Sequence, residues 1–165
     1  MIEVEQSSVI AAPAEAVWRR ATSPEGINDE LRPWLRMTMP RGLKGLGIEE
    51  ASLGEVLGRS WLLLGGVLPV DYDDLCLVEL EPGKRFLERS RLGSMRVWQH
   101  ERTIEPLPEA GAPATPGRCR LTDRLSFEPR ALLRALPGSQ RLGSATVASL
   151  YRHRHRRLAA HFEAG

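Results

Sequence analysis

The chain has 165 residues, 42% of them hydrophobic and 27% charged, with a formal net charge of +2. That length suffices for one domain with a real core, and the near balance of charge argues against the domain-wide basic field of a dedicated nucleic-acid binder. Lys occurs only at Lys44 and Lys84, so nearly all the positive charge is Arg and no single Arg is a functional clue by itself.

IEVEQSSVIAAP reads as an opening strand with Ile2, Val4, Gln6 and Ser8 on one face. Pro13 suits a first helical turn, where a missing N–H costs nothing. AEAVWRRAT (14–22) follows with Ala14, Val17, Trp18 and Ala21 at helical spacing. SPEGINDEL begins with a Ser-Pro cap and predicts a second short helix. From Pro33 the period changes to two. WLRMTMP (34–40) reads as a strand, RGLKGLGIEEA as a Gly-rich connection, and Ser60–Leu64 as a strand that Gly65, Gly66 and Pro69 interrupt. YDDLCLVELEPG (72–83) predicts a strand closed by a Glu-Pro-Gly turn, and KRFLERSRL (84–92) predicts the next. SMRVWQHERTIEP (94–106) is expected to be the longest. PEAGAPATPG (108–117) is expected to be an exposed, mobile loop. RCRLTDRLSFEP (118–129) alternates strictly, with Cys119, Leu121, Asp123, Leu125 and Phe127 on one side. ALLRALPGSQRLG has room for a helical turn, and Ser144 can cap a last helix reaching about Glu163.

No linker divides the chain, so residues 1–165 read as a single α+β domain, β-α-α-β6-α. A curved antiparallel sheet with the long helix across its concave face is the simplest way to bury both apolar surfaces. The gap left between sheet and helix would suit an apolar ligand. Cys76 and Cys119 lie far apart in apolar runs and read as reduced thiols. No apolar run approaches the ~20 residues of a membrane span. The first residues lack the basic start and apolar stretch of a signal peptide. The expected location is cytoplasmic.

The last helix carries YRHRHRRLAAHF, in which Arg152 to Arg157 are all Arg or His. Each helical residue turns by about 100°, so His153 and His155 point to nearly opposite sides and cannot share a metal. No metal and no cofactor is expected. Val147, Leu150, Tyr151, Leu158 and Phe162 form the apolar stripe, and Arg152, His153, Arg156 and Arg157 fall on its flanks or outer face. Arg154 lies inside the stripe. A charge facing a core needs a partner, and Asp123, inward between Leu121 and Leu125, is the natural candidate. Trp98, His100, Arg102 and Ile104 share a face of the long strand. If that face is inward, His100 and Arg102 join Asp123 and Arg154 in a polar cluster. Such a cluster is either a salt bridge tying helix to sheet or the anchor for a ligand's polar end. A bulge would reverse the facing. Asp73 and Asp74 point to opposite faces and form no dyad. Asp71 and Asp73 can face alike, but a turn or solvated strand edge is the simpler reading.

The opening strand with APAEAVW (12–18), VWQHERTIEP (97–106), CRLTDRLSFEP (119–129) and the closing YRHRHRRLAAHF together resemble the START-like or Bet v 1-like helix-grip superfamily of polyketide cyclases, dehydrases and lipid-transport proteins. The resemblance spans essentially the whole chain. It implies a seven-stranded sheet gripping the C-terminal helix around a cavity, in which members bind lipids, sterols, hormones or polyketides. Trp34, Trp61, Trp98, Leu121, Leu125, Tyr151 and Phe162 match positions such cavities use, and core packing accounts for each equally well.

The leading functional expectation is a binding domain for a small hydrophobic or amphipathic molecule. Its expected ligand-binding residues are Trp34, Trp61, Trp98, His100, Arg102, Leu121, Asp123, Leu125, Tyr151 and Arg154. The competing one is a cyclase or dehydratase in which His100 or Asp123 is the acid–base group and Arg102 or Arg154 holds an enolate or carboxylate. A third is an interaction domain whose interior is filled by its own Trp and Leu side chains. A homodimer is left open. Nucleotide-binding, nucleophile-elbow and CxxC signatures are absent, and GLKGLG (42–47) lacks the strand-to-helix context that phosphate needs.

Overall fold

A computed structural model describes residues 1–43, 47–108, 117–135 and 137–164. Seven antiparallel strands form one curled sheet in the order β1-β7-β6-β5-β4-β3-β2. In chain order they are β1 Ile2–Ile10, β2 Leu35–Met37, β3 Val56–Leu64, β4 Leu68–Glu81, β5 Arg85–Leu92, β6 Met95–Pro106 and β7 Cys119–Pro129. Helices α1 Ala14–Ala21 and α2 Pro24–Leu31 follow β1, and the short α3 Ala131–Arg134 precedes α4 Ser139–Glu163. With 25 residues, α4 is long enough, at about 37 Å, to cross the whole sheet. The expected helix-grip architecture is therefore present, and the fold is START-like.

Local chemistry sets the path into this sheet. Val17, Trp18 and Ala21 are the buried residues of α1. Ser23 Oγ then accepts the Gly26 backbone N–H at 3.0 Å, capping α2 behind Pro24. Gly26 lets α2 close against α1: a Cβ there would sit 1.8 Å from the Arg20 carbonyl oxygen. At the sheet edge the Asn28 side chain pairs with β2 as a neighbouring strand would. It accepts Met37 N–H at 2.8 Å and donates to the Met37 carbonyl at 3.1 Å.

The boundaries of β2, β4 and α4 depart from the sequence reading. The strand expected over 34–40 shrinks to Leu35–Met37. β4, with 14 residues, is longer than β6 with 12 and runs through Pro69. Pairing of β4 with β5 begins only at Asp73, opposite Leu92, so Pro69 lies where one side of the strand is free and a missing N–H is tolerated. α4 begins at Ser139 rather than at Ser144, behind Gly138 in the left-handed region at φ 76°. Most of the 108–117 loop (109–116), and 44–46 of the Gly-rich connection, lie outside the described residues.

The interior holds two apolar clusters. One gathers Ile10, Val17, Trp18, Leu77, Phe86, Ile104, Leu121 and Leu158. The other gathers Leu125, Phe127, Val147 and Tyr151, with Trp98 packed against it. Buried charged residues from α2, β4, β5, β6, β7 and α4 share this interior.

Candidate functional site

The sheet register builds the polar cluster. Phe86, Arg102 and Asp123 stand side by side on β5, β6 and β7, and His100 faces Glu88 across the β5–β6 ladder. The irregularity in β6 lies between Met95 and Val97, ahead of His100, so the inward facing of His100 and Arg102 is preserved. Both are buried.

Asp123 is the hub. Its Oδ1 accepts Arg102 Nε at 2.8 Å and lies 2.8 Å from His100 Nε2. Its Oδ2 accepts Arg102 Nη2 at 2.8 Å and lies 2.9 Å from His155 Nε2. A carboxylate offers about four acceptor positions, and all are taken. Arg102 turns its other edge to Glu30 of α2, donating to Oε1 and Oε2 at 3.1 Å each. Arg154 of α4 donates to the same Glu30 Oε2 through Nε at 2.9 Å. The Arg154 guanidinium carbon also lies 4.8 Å from the centre of the Tyr151 ring. Two guanidinium groups thus meet two carboxylates across four elements, β6, β7, α2 and α4, and every member is hydrogen-bonded. A buried ionic group requires that completeness.

Burial alone would push the Asp123 carboxyl up, but the adjoining Arg102 guanidinium and His100 outweigh it and hold Asp123 well below the usual carboxylate range. The same contest runs in His100. Desolvation would lower it, and the Asp123 charge, with help from Glu88, leaves it raised. His100 is held between rings, Phe86 and Tyr151 each making an edge contact at 5.2 Å.

Beside this network, between the sheet, α2 and α4, lies a cavity of about 260 Å³. Apolar side chains such as Ile27, Leu31, Met37, Leu77, Trp98 and Val147 supply most of its wall, and Asp71, Asp73, Glu88, His100, Arg102 and Arg154 supply charge. Asp73 on β4 and Glu88 on β5 are neighbouring carboxyls. Burial, reinforced by the Glu88 charge, pushes Asp73 well above the ordinary range, against a hydrogen bond from Ser90.

The sequence-derived candidates divide into three groups. Trp98, His100, Arg102, Tyr151 and Arg154 line the cavity. Leu121, Asp123 and Leu125 are buried but do not border it. Trp34 and Trp61, expected inward, are 60% and 44% exposed. Ser60 takes the inward position of β3, so alternation turns Trp61 outward, where it packs edge-on against Tyr72 at 5.8 Å. Trp34 precedes the three-residue edge strand and has no second strand to cover it. The expected Arg154–Asp123 pair does not form either. Glu30 takes Arg154, because α2 packs alongside α4 and brings that carboxylate to it, while His155 is the α4 residue that reaches Asp123.

Four participants went unread in the sequence. Glu30 sits one turn after the buried Gly26 of α2, a charge inside an apolar stripe, which is the same signal that exposed Arg154. His155 follows Tyr151 by four residues and precedes Leu158 by three, so it shares their face; it bonds Asp123 and, through Nδ1, Ser8 Oγ at 2.9 Å. Asp73 and Glu88 become visible only through the facing of β4 and β5. The solvated edge or turn expected for Asp73 is corrected: it is buried, whereas Asp74 faces out to Arg59 at 2.7 Å. His153 points away from His155 and bonds the Arg32 carbonyl at 2.6 Å. Cys76 and Cys119 are both unpaired. Among the described residues no three His, Cys, Asp or Glu side chains converge as metal ligands, and no helix is long and apolar enough to cross a membrane.

Solved structures repeat this architecture. A protein from Chromobacterium violaceum superposes with a TM-score of 0.69 at 17% identity, covering 97% of this chain and 96% of that one. A START superfamily protein from Mycobacterium smegmatis gives 0.65 at 13% identity, covering 98% and 97%. The di-domain ARO/CYC BexL of the BE-7585A biosynthetic pathway gives 0.61 at 13% identity, covering 99% of this chain and 47% of that longer one. At these identities the likeness establishes the fold, a START-like one, and nothing finer. No curated protein matches in sequence. One family model does match, over residues 8–162, and the chain belongs to that family, described as domain of unknown function DUF8410.

Proposed function

We propose that the protein binds a small amphipathic molecule in the cavity between the curled sheet and α4, acting as one START-like domain over residues 1–165. The observation that carries this reading is the cavity of about 260 Å³, mostly apolar in its wall yet bordered by Asp73, Glu88, His100 and Arg154. Ligand sites combine a largely apolar enclosure with a few convergent polar groups. Typical sites hold roughly 300–1,000 Å³, so this one suits a small ligand. Open space in the interior counts against a domain filled by its own side chains. The binding reading calls for no cofactor.

Denaturing extraction and mass spectrometry of the purified protein, beside native mass spectrometry of the intact chain, test the reading. A near-stoichiometric small molecule is expected. For protein stripped of it, amphipaths should raise the melting temperature, since a ligand at 100 times its Kd adds about 2.7 kcal/mol. No bound molecule together with no stabilisation by any member of the panel would overturn the proposal.

One observation favours a second reading, an acid–base enzyme of the cyclase or dehydratase type. The His100 ring borders the cavity while Asp123 holds its Nε2 at 2.8 Å. An oriented imidazole at a cavity wall is equipped for proton transfer. Asp123, with its acceptor positions filled, would orient His100 and would not itself exchange protons with a substrate. Conversion of the co-purified molecule by the wild type and not by His100→Gln would support this reading. Unchanged recovery from both would dismiss it.

A further inference from the structure

Two kinds of buried carboxylate lie in and beside the cavity wall. Glu30 and Asp123 are fully engaged by Arg102, Arg154, His100 and His155. Asp73 and Glu88 are not. They are 6% and 7% exposed and both line the cavity. Among the described residues Asp73 Oδ1 and Glu88 Oε1 have no hydrogen-bond partner, and neither does Ser60 Oγ, on the residue directly opposite Asp73 across the β3–β4 ladder. Buried acceptors are normally met.

The surrounding charges do not meet them. Arg102 gives its hydrogen bonds to Asp123 and Glu30, and Arg154 donates to Glu30. His100 Nε2 is turned to Asp123, and its Nδ1 stays 3.7 Å from Glu88 Oε2, beyond hydrogen-bond reach. Asp71, the third acid on the wall, is occupied by Ser94 and the Tyr72 N–H. Arg59, across the ladder from Asp74, is held outside by that residue.

We propose that Asp73 and Glu88 form the docking point for the protonated amino group of the ligand, which makes the ligand a small amine on an apolar body. Two unmet acceptor oxygens and a nearby hydroxyl call for a group with several donors. An ammonium has three and carries the charge that a carboxyl pair prefers. A single hydroxyl donates once. The aliphatic and aromatic wall formed by Ile27, Leu31, Met37, Trp98 and Val147 would receive the body. This proposal rests on the cavity being a binding site.

Titration calorimetry with matched probes tests it: 2-phenylethylamine against 2-phenylethanol, and hexylamine against hexanol. Wild type, Asp73→Asn, Glu88→Gln and the outward control Asp74→Asn are compared, each shown to be folded by its cooperative melt. The amines should bind wild type and Asp74→Asn at least tenfold tighter than the alcohols. That ratio should fall at least tenfold in Asp73→Asn or Glu88→Gln. If alcohols bind as well as amines, or if the amine preference survives in both cavity variants, the docking point is refuted while the cavity remains a site. If no probe of either kind binds, the cavity reading falls with it.

Discussion

Replacing Asp123 with Asn probes the hub of the interior at almost constant volume. The carboxylate faces four N–H donors, two on each oxygen. An amide keeps one accepting oxygen and turns an NH2 toward the other two donors, so at least two buried donors lose their partner. Each such loss costs about 1–3 kcal/mol, and removing one member of a buried ion pair costs about 3–5 kcal/mol. A loss of about 4 kcal/mol is therefore expected. With a urea m-value of about 2 kcal/mol/M, the midpoint should drop by about 2 M, followed by Trp18 and Trp98 fluorescence. The pH dependence has a definite sign. Asp123 is depressed in the folded state, so its contribution is present above its unfolded value of about 3.9 and is lost as pH falls through the folded one. The gap between wild type and variant should narrow below about pH 4. The double variant Arg102→Met, Asp123→Leu should be less destabilised than the sum of its singles, because it leaves no half-pair behind. A midpoint shift under about 0.25 M, equivalent to about 0.5 kcal/mol and typical of an exposed site, would refute the network as drawn.

His100 is raised by Asp123, so its stabilising contribution is complete below the unfolded value of about 6.5 and declines as pH rises through the folded one. His100→Gln should therefore cost more stability at pH 6 than at pH 9, and an NMR titration placing the imidazole below 6.5 would contradict this. Asp73 is an acid raised by burial, which lowers stability progressively above about pH 3.9. Asp73→Asn should equal or exceed the wild type in urea at pH 8, and clear destabilisation there would show that the carboxylate is satisfied after all. Gly26→Ala places a Cβ 1.8 Å from the Arg20 carbonyl and should cost more than about 2 kcal/mol by overpacking; a melt within about 0.5 kcal/mol of wild type would mean that α1 and α2 separate freely. Trp34→Ala should leave ligand binding and stability nearly unchanged, and a loss of binding would place Trp34 at the cavity after all.

Much of the frame was legible because periodicity reports which face is buried. β1 and β7 alternate cleanly, and the stripe through Val147, Tyr151 and Leu158 marks the inner face of α4. Partners were less legible, since two charges that meet can lie far apart in the chain. Arg154 declared itself as a charge on a core face, but Glu30, 124 residues earlier, could be matched to it only once α2 was seen to pack beside α4. Asp123 looked like the nearest opposite charge because the strand that carries it was read without α2, which packs beside α4. The Trp residues misled for a related reason. Their size suggests burial, yet Trp61 follows the inward Ser60, and Trp34 lies at the edge of a sheet that ends in three residues.

The contrast between two kinds of buried acid separates architecture from function inside one cavity. Asp123 and Glu30 are met by hydrogen-bond donors from β6 and α4, so they explain how the helix is held on the sheet and leave nothing over for a ligand. Asp73 and Glu88 contribute nothing comparable to the fold. Carried on adjacent strands, with unmet oxygens and one of them pushed toward its neutral form, they should destabilise the empty protein. A Leu–Met pair at the same positions would pack as well without that cost. Arg102 and Arg154 cannot relieve them without abandoning Glu30 or Asp123, so in the empty protein a proton on Asp73 eases the repulsion, and a ligand ammonium would take over that role. The expected consequence is a trade-off measurable in a single series: neutralising Asp73 strengthens the fold at pH 8 and weakens the hold on amines. If stability and amine affinity instead fall together, Asp73 is a structural acid like Asp123, and the polar end of the ligand must be sought at His100.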